Sequence, residues 1–263
     1  MRRVLPAGEK GNLSKRRSRG NQRSNARYYL VTGVVMVAVV GYLLASSGQG
    51  HGGTTTSTTK LSSVSSTSPS SSPVILYVNQ GNGEVNSSNF GRLLDTANSH
   101  GFNTIFFQIY RSGTLFFADS SLSQLVDSAH GQGLKIFFAL YFTDSTQKIP
   151  SSIYVDGEDG INLDMSTLTL AAQTALFDDL SSTYSGKTAI TTTNPNLSLN
   201  PGMLIVETYG TGNDQFIHHG MIASVGVFAT SSRQDYVQQF QYALANSDGV
   251  MVFDYAGLVK SGY

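Results

Sequence analysis

The sequence predicts an α/β fold: a compact (β/α)8 barrel over residues 74–263, preceded by a transmembrane helix and a disordered stalk. Three observations support the barrel. Short apolar runs alternate with amphipathic stretches, glycine ends several of those stretches, and there are eight apolar runs in all. Alternating strands and helices indicate a parallel sheet covered by helices, and eight such units close a barrel.

The eight predicted strands are continuously apolar, as strands covered by helices on the outside usually are. In chain order they are VILYVN, TIFFQIY, LKIFFALY, GINLD, TAITTT, MLIVETY, SVGVFAT and VMVFDY. Helical spacing of apolar residues predicts helices near residues 90–97, 122–129, 166–184 and 236–244.

The predicted barrel is short for its class. It has 190 residues, whereas about 250 are usual. The segment NPNLSLNPG after the fifth strand cannot form a helix, and little chain follows the eighth strand. We therefore expect a trimmed barrel with some helices missing, and an open doubly wound sheet remains the alternative.

The first 45 residues predict a membrane anchor. Residues 1–27 carry nine of the 17 Lys and Arg and one acidic residue, which predicts a basic cytoplasmic tail. Residues 28–45 carry no charge, and their 18 residues are near the lower limit for a transmembrane helix. The positive-inside rule then places the N-terminus in the cytoplasm and the barrel outside the cell membrane.

Two other interpretations of this N-terminal region stay open. The segment LLASSG is a conceivable cleavage site, so the apolar stretch also fits a signal peptide. A basic arm that binds nucleic acid is less favoured, because membrane topology already explains the positive charges. Residues 46–73 are rich in Ser and Thr with almost nothing to bury, which predicts an extended linker.

Carboxylates end several of the predicted strands, although only 13% of the residues are charged. Asp164, Glu207 and Asp254 close the fourth, sixth and eighth strands. Active sites of (β/α)8 barrels lie at the carboxyl ends of the strands, so we expect these three side chains on one rim. The same rim is predicted to carry substrate-binding residues, namely Gln108, Tyr110, Arg111, Tyr141, Tyr209 and Tyr255.

Two carboxyl groups across a cleft are the requirement for cleaving a glycosidic bond, one as general acid and the other as nucleophile or base. Tyrosine rings with hydroxyl groups suit a sugar. The alternative is that these acids cap the helices that follow the strands, and Asp164 is open to it because a helix is predicted from Ser166. Glu207 fits capping poorly because it lies inside the apolar segment IVETY.

We expect neither a metal nor a cofactor. The chain has no cysteine and only five histidines, without HxxxH or HExxH spacing. The GNG and GTG segments lack the third glycine of a dinucleotide fingerprint, and neither a P-loop nor a G-x-S-x-G elbow occurs. A metal-dependent deacetylase would need a His/Asp cluster that the sequence does not offer.

Residues 101–260 resemble the bacterial glycosyl-hydrolase-like barrel proteins. The similar segments are GFNTIFFQIYRSGTLFF, LVDSAHGQGLKIFFALY, VDGEDGINLD and DGVMVFDYAGL, in the family's order. The resemblance implies a sugar-cleaving or sugar-binding barrel with Asp164 as the carboxylate of the fourth strand, and Gln108 and Arg111 match the family's second strand. Met165 and Ser166 depart from the Asp and Tyr that commonly follow that carboxylate.

The sequence therefore predicts a membrane-anchored, extracellular glycoside hydrolase acting on a glycan, with Asp164 and Glu207 as the pair and Asp254 in reserve. Glu207 is the favoured general acid, because the more apolar run before it should raise its pKa, but the opposite assignment stays open, as does the choice between retention and inversion. The alternative is a glycan-binding or scaffold barrel that has lost the chemistry. The absence of tryptophan and the trimmed barrel favour that alternative.

Overall fold

A computed structural model describes residues 72–80, 85–153, 156–209, 213–227 and 232–261. The predicted basic tail and transmembrane span lie outside these ranges, as does the predicted linker except for its last two residues. None of the helices within them has the length and hydrophobicity to cross a bilayer.

The described residues form the predicted barrel. Its nine strands are β1 Val74–Val78, β2 Thr104–Arg111, β3 Thr114–Leu115, β4 Lys135–Tyr141, β5 Gly160–Asp164, β6 Thr188–Thr192, β7 Met203–Glu207, β8 Ile222–Gly226 and β9 Gly249–Phe253. Eight of them pair in parallel, and β1 pairs with both β2 and β9, which closes the sheet. The two-residue β3 is an antiparallel extension of β2. Closure confirms the barrel and rejects the open sheet.

Helices follow only some of the strands. They are α1 Phe90–Ser99, α2 Asp119–Gly131, α3 Leu170–Thr183, α4 Arg233–Asn246 and α5 Tyr255–Ser261. In the described parts of the connections from β4 to β5, β6 to β7 and β7 to β8, only short 3-10 turns or irregular segments occur. The predicted trimming is therefore confirmed. Helix α5 was not predicted from the sequence, because its seven residues are too few to show a period.

The interior of the barrel is filled from alternate strand positions, as the two-residue period of a strand requires. Seven strands contribute to one apolar cluster, whose members are Ile75, Tyr77, Phe106, Phe137, Ala139, Ala189, Ile205, Ile222 and Met251. The remaining parallel strand, β5, presents Gly160, Asn162 and Asp164 at the equivalent positions. Strand β5 therefore contributes polar side chains, Asn162 and Asp164, where the other seven parallel strands contribute apolar ones to the cluster.

Gly160 is required by the packing of this interior. A Cβ atom there would overlap the ring of Phe137 and the carbonyl oxygen of Lys187. Gly249 at the start of β9 meets a similar limit, because its Cβ would overlap Pro73. Gly160 and Gly249 each follow an aspartate, and each leaves room for a neighbour that a Cβ atom would displace.

A β-bulge in β2 decides which of its polar residues face inward. The pairing with β4 shifts between Gln108 and Tyr110, so that Gln108 lies opposite Ala139 and Arg111 opposite Tyr141. Strict alternation would put residues three apart on opposite faces. The extra residue brings Gln108 and Arg111 to the same inner face and turns Tyr110 to the outer one.

Candidate active site

The carboxyl ends of β5 and β7 bring Asp164 and Glu207 together. Asp164 is buried, with 3% of its surface exposed, and Glu207 is half-buried at the rim. The hydroxyl of Ser166 donates to Asp164 Oδ1 at 3.2 Å. Asp164 and Glu207 both face the interior, on strands separated only by β6, and the charge of Asp164 reaches Glu207 and raises its pKa.

Burial raises the pKa of both carboxyl groups. The pKa of Asp164 rises to about 6, mainly through desolvation, and is held down in part by hydrogen bonds from Tyr77 and Ser166 and by the charge of Arg111. The pKa of Glu207 rises to about 7 through desolvation and then through the negative charge of Asp164. The pair therefore loses its protons in sequence, with Asp164 ionising first.

Asp164 does not cap the following helix. Helix α3 begins at Leu170, four residues later than the start predicted from the sequence, and its cap is Thr169, whose hydroxyl accepts a hydrogen bond from the backbone N–H of Ala172. The capping alternative for Asp164 is therefore wrong. Its carboxylate instead points into the barrel, where hydroxyl groups are its partners.

Polar side chains on the neighbouring strands complete the wall around the pair. The guanidinium of Arg111 lies 5.2 Å from the centre of the Tyr141 ring, a cation–π contact at the rim. The Tyr209 hydroxyl is 3.0 Å from Ser224 Oγ, and its ring packs against Phe253. Burial and the charge of Glu207 raise the pKa of Tyr209 well above its usual value, so this phenol stays protonated.

For Tyr110, Tyr255 and Asp254, the structure shows packing or capping contacts. The ring of Tyr110 packs against Phe142, with their centres 5.3 Å apart, and Tyr255 is buried at the start of α5. Asp254 Oδ1 accepts a hydrogen bond from the backbone N–H of Gly257, which is a helix-capping contact for α5. Its charge is nevertheless close enough to contribute to the raised pKa of Tyr209.

The site also contains polar residues that the sequence did not single out. Tyr77 on β1 donates a hydrogen bond to Asp164 Oδ2, and the Ser166 hydroxyl donates one to Asp164 Oδ1. Asn162 lies one interior position below Asp164, accepts a hydrogen bond from Thr191, and has an amide nitrogen without a partner among the described residues. The feature of the sequence that could have identified these residues is a polar side chain at an inward position of a barrel strand, or just after the strand ends.

No cluster of three potential metal-ligating side chains occurs within the described ranges. Two carboxyl groups with raised pKa values beside an arginine can donate and accept protons and can stabilise developing charge.

No protein-family model and no curated protein matches the chain. Solved structures with a similar fold include a GH113 β-1,4-mannanase, at 10% identity and a TM-score of 0.47, with 70% of this chain and 88% of that one covered. A noncanonic maltogenic α-amylase from Thermotoga neapolitana is similar at 11% identity and a TM-score of 0.44, with coverages of 71% and 68%.

A phospho-2-dehydro-3-deoxyheptonate aldolase from Thermotoga maritima is similar to the same degree, at 12% identity and a TM-score of 0.45, with coverages of 73% and 67%. At such identities a likeness concerns the fold alone, and barrels of one fold perform many reactions. The reaction of this chain therefore has to be argued from its own residues.

Proposed function

We propose that this protein is a retaining glycoside hydrolase in which Asp164 is the nucleophile and Glu207 the general acid and base. The observation that carries the proposal is that two inward-facing carboxyl groups lie at the carboxyl ends of β5 and β7, with only β6 between these strands. The charge of Asp164 raises the pKa of Glu207, which supports a short distance between the two groups. A short distance favours the retaining class, whose carboxyl groups are about 5 to 5.5 Å apart, over the inverting class with its wider spacing.

The proposed reaction has two displacements. In the first, an electron pair of Asp164 forms a bond to the anomeric carbon while the bond to the leaving oxygen breaks, and the proton of Glu207 passes to that oxygen. In the second, Glu207 takes a proton from water, whose oxygen attacks the anomeric carbon and releases Asp164 as a carboxylate. Glu207 regains its proton, so both groups return to their starting states.

The raised pKa values support this assignment of roles. A nucleophile must be ionised and a general acid protonated at the same pH, and the pair meets both conditions between about pH 6 and about pH 7. We therefore expect kcat/KM to follow a narrow bell with its maximum in that range. Rates measured from pH 4 to pH 9 check this, and a flat profile across those limits would contradict the assignment.

We further propose that the barrel acts outside the cell on a polysaccharide or other glycan, held to the membrane by residues 28–45. The uncharged apolar stretch, the basic residues before it and the polar linker after it support this arrangement. Partition of the full chain with membranes after alkaline extraction tests it. A chain found only in the soluble fraction would argue for cleavage of the segment.

The test of the activity is reducing-sugar release by the full chain in detergent across a panel of glycans, beside Asp164→Asn and Glu207→Gln. We expect each substitution to lower the rate by about 10² to 10⁴-fold, because each removes one participant in proton transfer or covalent catalysis. The Asp127→Asn variant, whose carboxyl lies on the surface helix α2, is the matched control.

Activity that survives in Glu207→Gln would move the partner role to Asp254 and contradict the proposed pair. If no glycan is cleaved but one is bound, the protein is instead a glycan-binding barrel without the chemistry. The mannanase or amylase named above, assayed on its own substrate, verifies the assay.

A further inference from the structure

Tyr77 links the candidate nucleophile to the opposite side of the barrel. It lies on β1, is fully buried, and faces the interior with its ring 5.1 Å from that of Phe253. Its hydroxyl lies 2.9 Å from Asp164 Oδ2 and 3.4 Å from Gln108 Nε2. Nothing in the reaction proposed above uses this hydroxyl.

The direction of these hydrogen bonds follows from the backbone. The N–H of Gln80 can only donate, and it lies 2.9 Å from the side chain of Gln108. The amide oxygen of Gln108 must therefore face Gln80, which leaves its NH2 group facing Tyr77. Since that group also only donates, the Tyr77 hydroxyl accepts from Gln108 and keeps its own proton for Asp164.

The two oxygens of Asp164 thereby have different surroundings. Oδ2 accepts a 2.9 Å hydrogen bond from a fully buried tyrosine, whereas Oδ1 accepts a longer bond of 3.2 Å from Ser166, which is half-buried. A half-buried serine can give way to a substrate more readily than a fully buried tyrosine. Oδ1 is therefore the oxygen available to react.

We propose that Tyr77 is a positioning residue that anchors Oδ2 of Asp164, so that Oδ1 is presented to the anomeric carbon. This inference rests on the proposed glycosidase function. Tyr77 itself forms no bond with the substrate, and its proton stays on the phenol throughout. Gln108 acts one step further back, by fixing the direction in which that proton points.

The test replaces Tyr77 by Phe, which removes the hydroxyl and keeps the ring. The titration midpoint of Asp164 is followed by NMR of ¹³C-labelled aspartate in the full chain without substrate. We expect it to move to higher pH, because the lost hydrogen bond favoured the ionised form. On a cleaved glycan, kcat should fall about 10- to 100-fold with KM within about threefold.

Tyr236→Phe is the matched control, since Tyr236 is also buried but lies on α4 in contact with Phe240. It should leave the Asp164 midpoint and kcat unchanged. If Tyr77→Phe does not fold, Tyr77→3-fluorotyrosine keeps the hydroxyl and makes it a stronger donor, so the midpoint should then move to lower pH.

An unchanged Asp164 midpoint in the folded Tyr77→Phe variant would overturn the inference and leave Tyr77 as a packing residue. A moved midpoint with unchanged kcat on a cleaved glycan would also overturn it, because the contact would then have no role in the reaction. A moved midpoint in a protein that cleaves no glycan would reject the proposed function while the contact itself stands.

Discussion

Strands β5 and β9 each have an aspartate before their first residue and another at or just after their last, and the two ends of β5 hold these carboxylates differently. At the amino ends, Asp159 accepts a hydrogen bond from the backbone N–H of Ile136, and Asp248 accepts one from Gly220. At the carboxyl end of β5, hydroxyl groups bond to a buried Asp164, whereas Asp254 after β9 accepts a backbone N–H as the amino-end aspartates do.

The amino-end pattern repeats in detail. The backbone N–H groups of Asp159 and Asp248 donate to the carbonyls of Ile136 and Met221, and each carboxylate also contacts a histidine, at 2.9 Å from His130 and 3.1 Å from His219. These two aspartates join neighbouring strands where the strands begin. The comparison teaches that one residue type stabilises the barrel at one end and carries the candidate chemistry at the other.

The largest effect on stability is expected at Gly160, the first residue of β5, where the packing leaves no room for a side chain. Gly160→Ala places a Cβ against the Phe137 ring and a backbone oxygen, so we expect a loss of about 1 to 3 kcal/mol or more in the free energy of unfolding. Urea denaturation measures it. Gly131→Ala, at a helical position with open space around it, is the control and should be neutral or slightly stabilising.

Asp164→Asn and Asp159→Ala should change the stability in opposite directions. Folding raises the pKa of Asp164 from 3.8 to about 6, so the folded state binds this proton more tightly and loses stability as the pH rises through that interval. Asn removes this loss, and we expect a gain on the order of 2 kcal/mol at pH 7. At pH 3 the gain should vanish.

Asp159→Ala instead leaves the backbone N–H of Ile136 without its acceptor, so we expect a loss of about 1 to 2 kcal/mol at pH 7. Urea denaturation of both variants at pH 3 and pH 7 tests the comparison directly. If both substitutions destabilise the protein at pH 7, the two ends do not differ as described.

The smallest effect concerns the exposed histidine of the amino end. Three quarters of the His219 side chain is exposed, and its partner Asp248 is more than half exposed. We expect His219→Ala to change the free energy of unfolding by less than about 0.5 kcal/mol, as for other surface ion pairs. A loss of more than 1 kcal/mol in thermal or urea unfolding would contradict this expectation. It would show that the His219–Asp248 contact stabilises the fold in addition to the hydrogen bond from Gly220 to Asp248.

Much of the barrel was predictable because its signals are local. Continuous apolar runs marked all eight parallel strands, and a stripe such as Phe90 to Ala97 marked a helix at its correct place. Helix α5 escaped because it is short, and the start of α3 was placed four residues too early because Ser166 resembles a cap.

The candidate site was predictable only where a charge interrupts an apolar strand. Asp164 and Glu207 stood out for that reason, whereas Tyr77 did not, because tyrosine inside VILYV is ordinary core composition. The role that we propose for Tyr77 depends on a hydrogen bond to a residue 87 positions away, which no local pattern records. The sequence also did not show that Asp159 bonds to the backbone at one end of β5 and Asp164 to hydroxyl groups at the other, because both are aspartates in one short segment.

The bulge in β2 has a consequence for how such a site can arise or be lost. Because Ile109 is the extra residue, its deletion would leave Tyr110 opposite Leu140 and Arg111 opposite Tyr141, with the same residues facing the interior. Straightening β2 at its present length would instead turn Tyr110 inward and Arg111 outward, because strict alternation would then hold. The backbone geometry of β2 is thus a determinant of which side chains line the interior, separate from amino-acid identity.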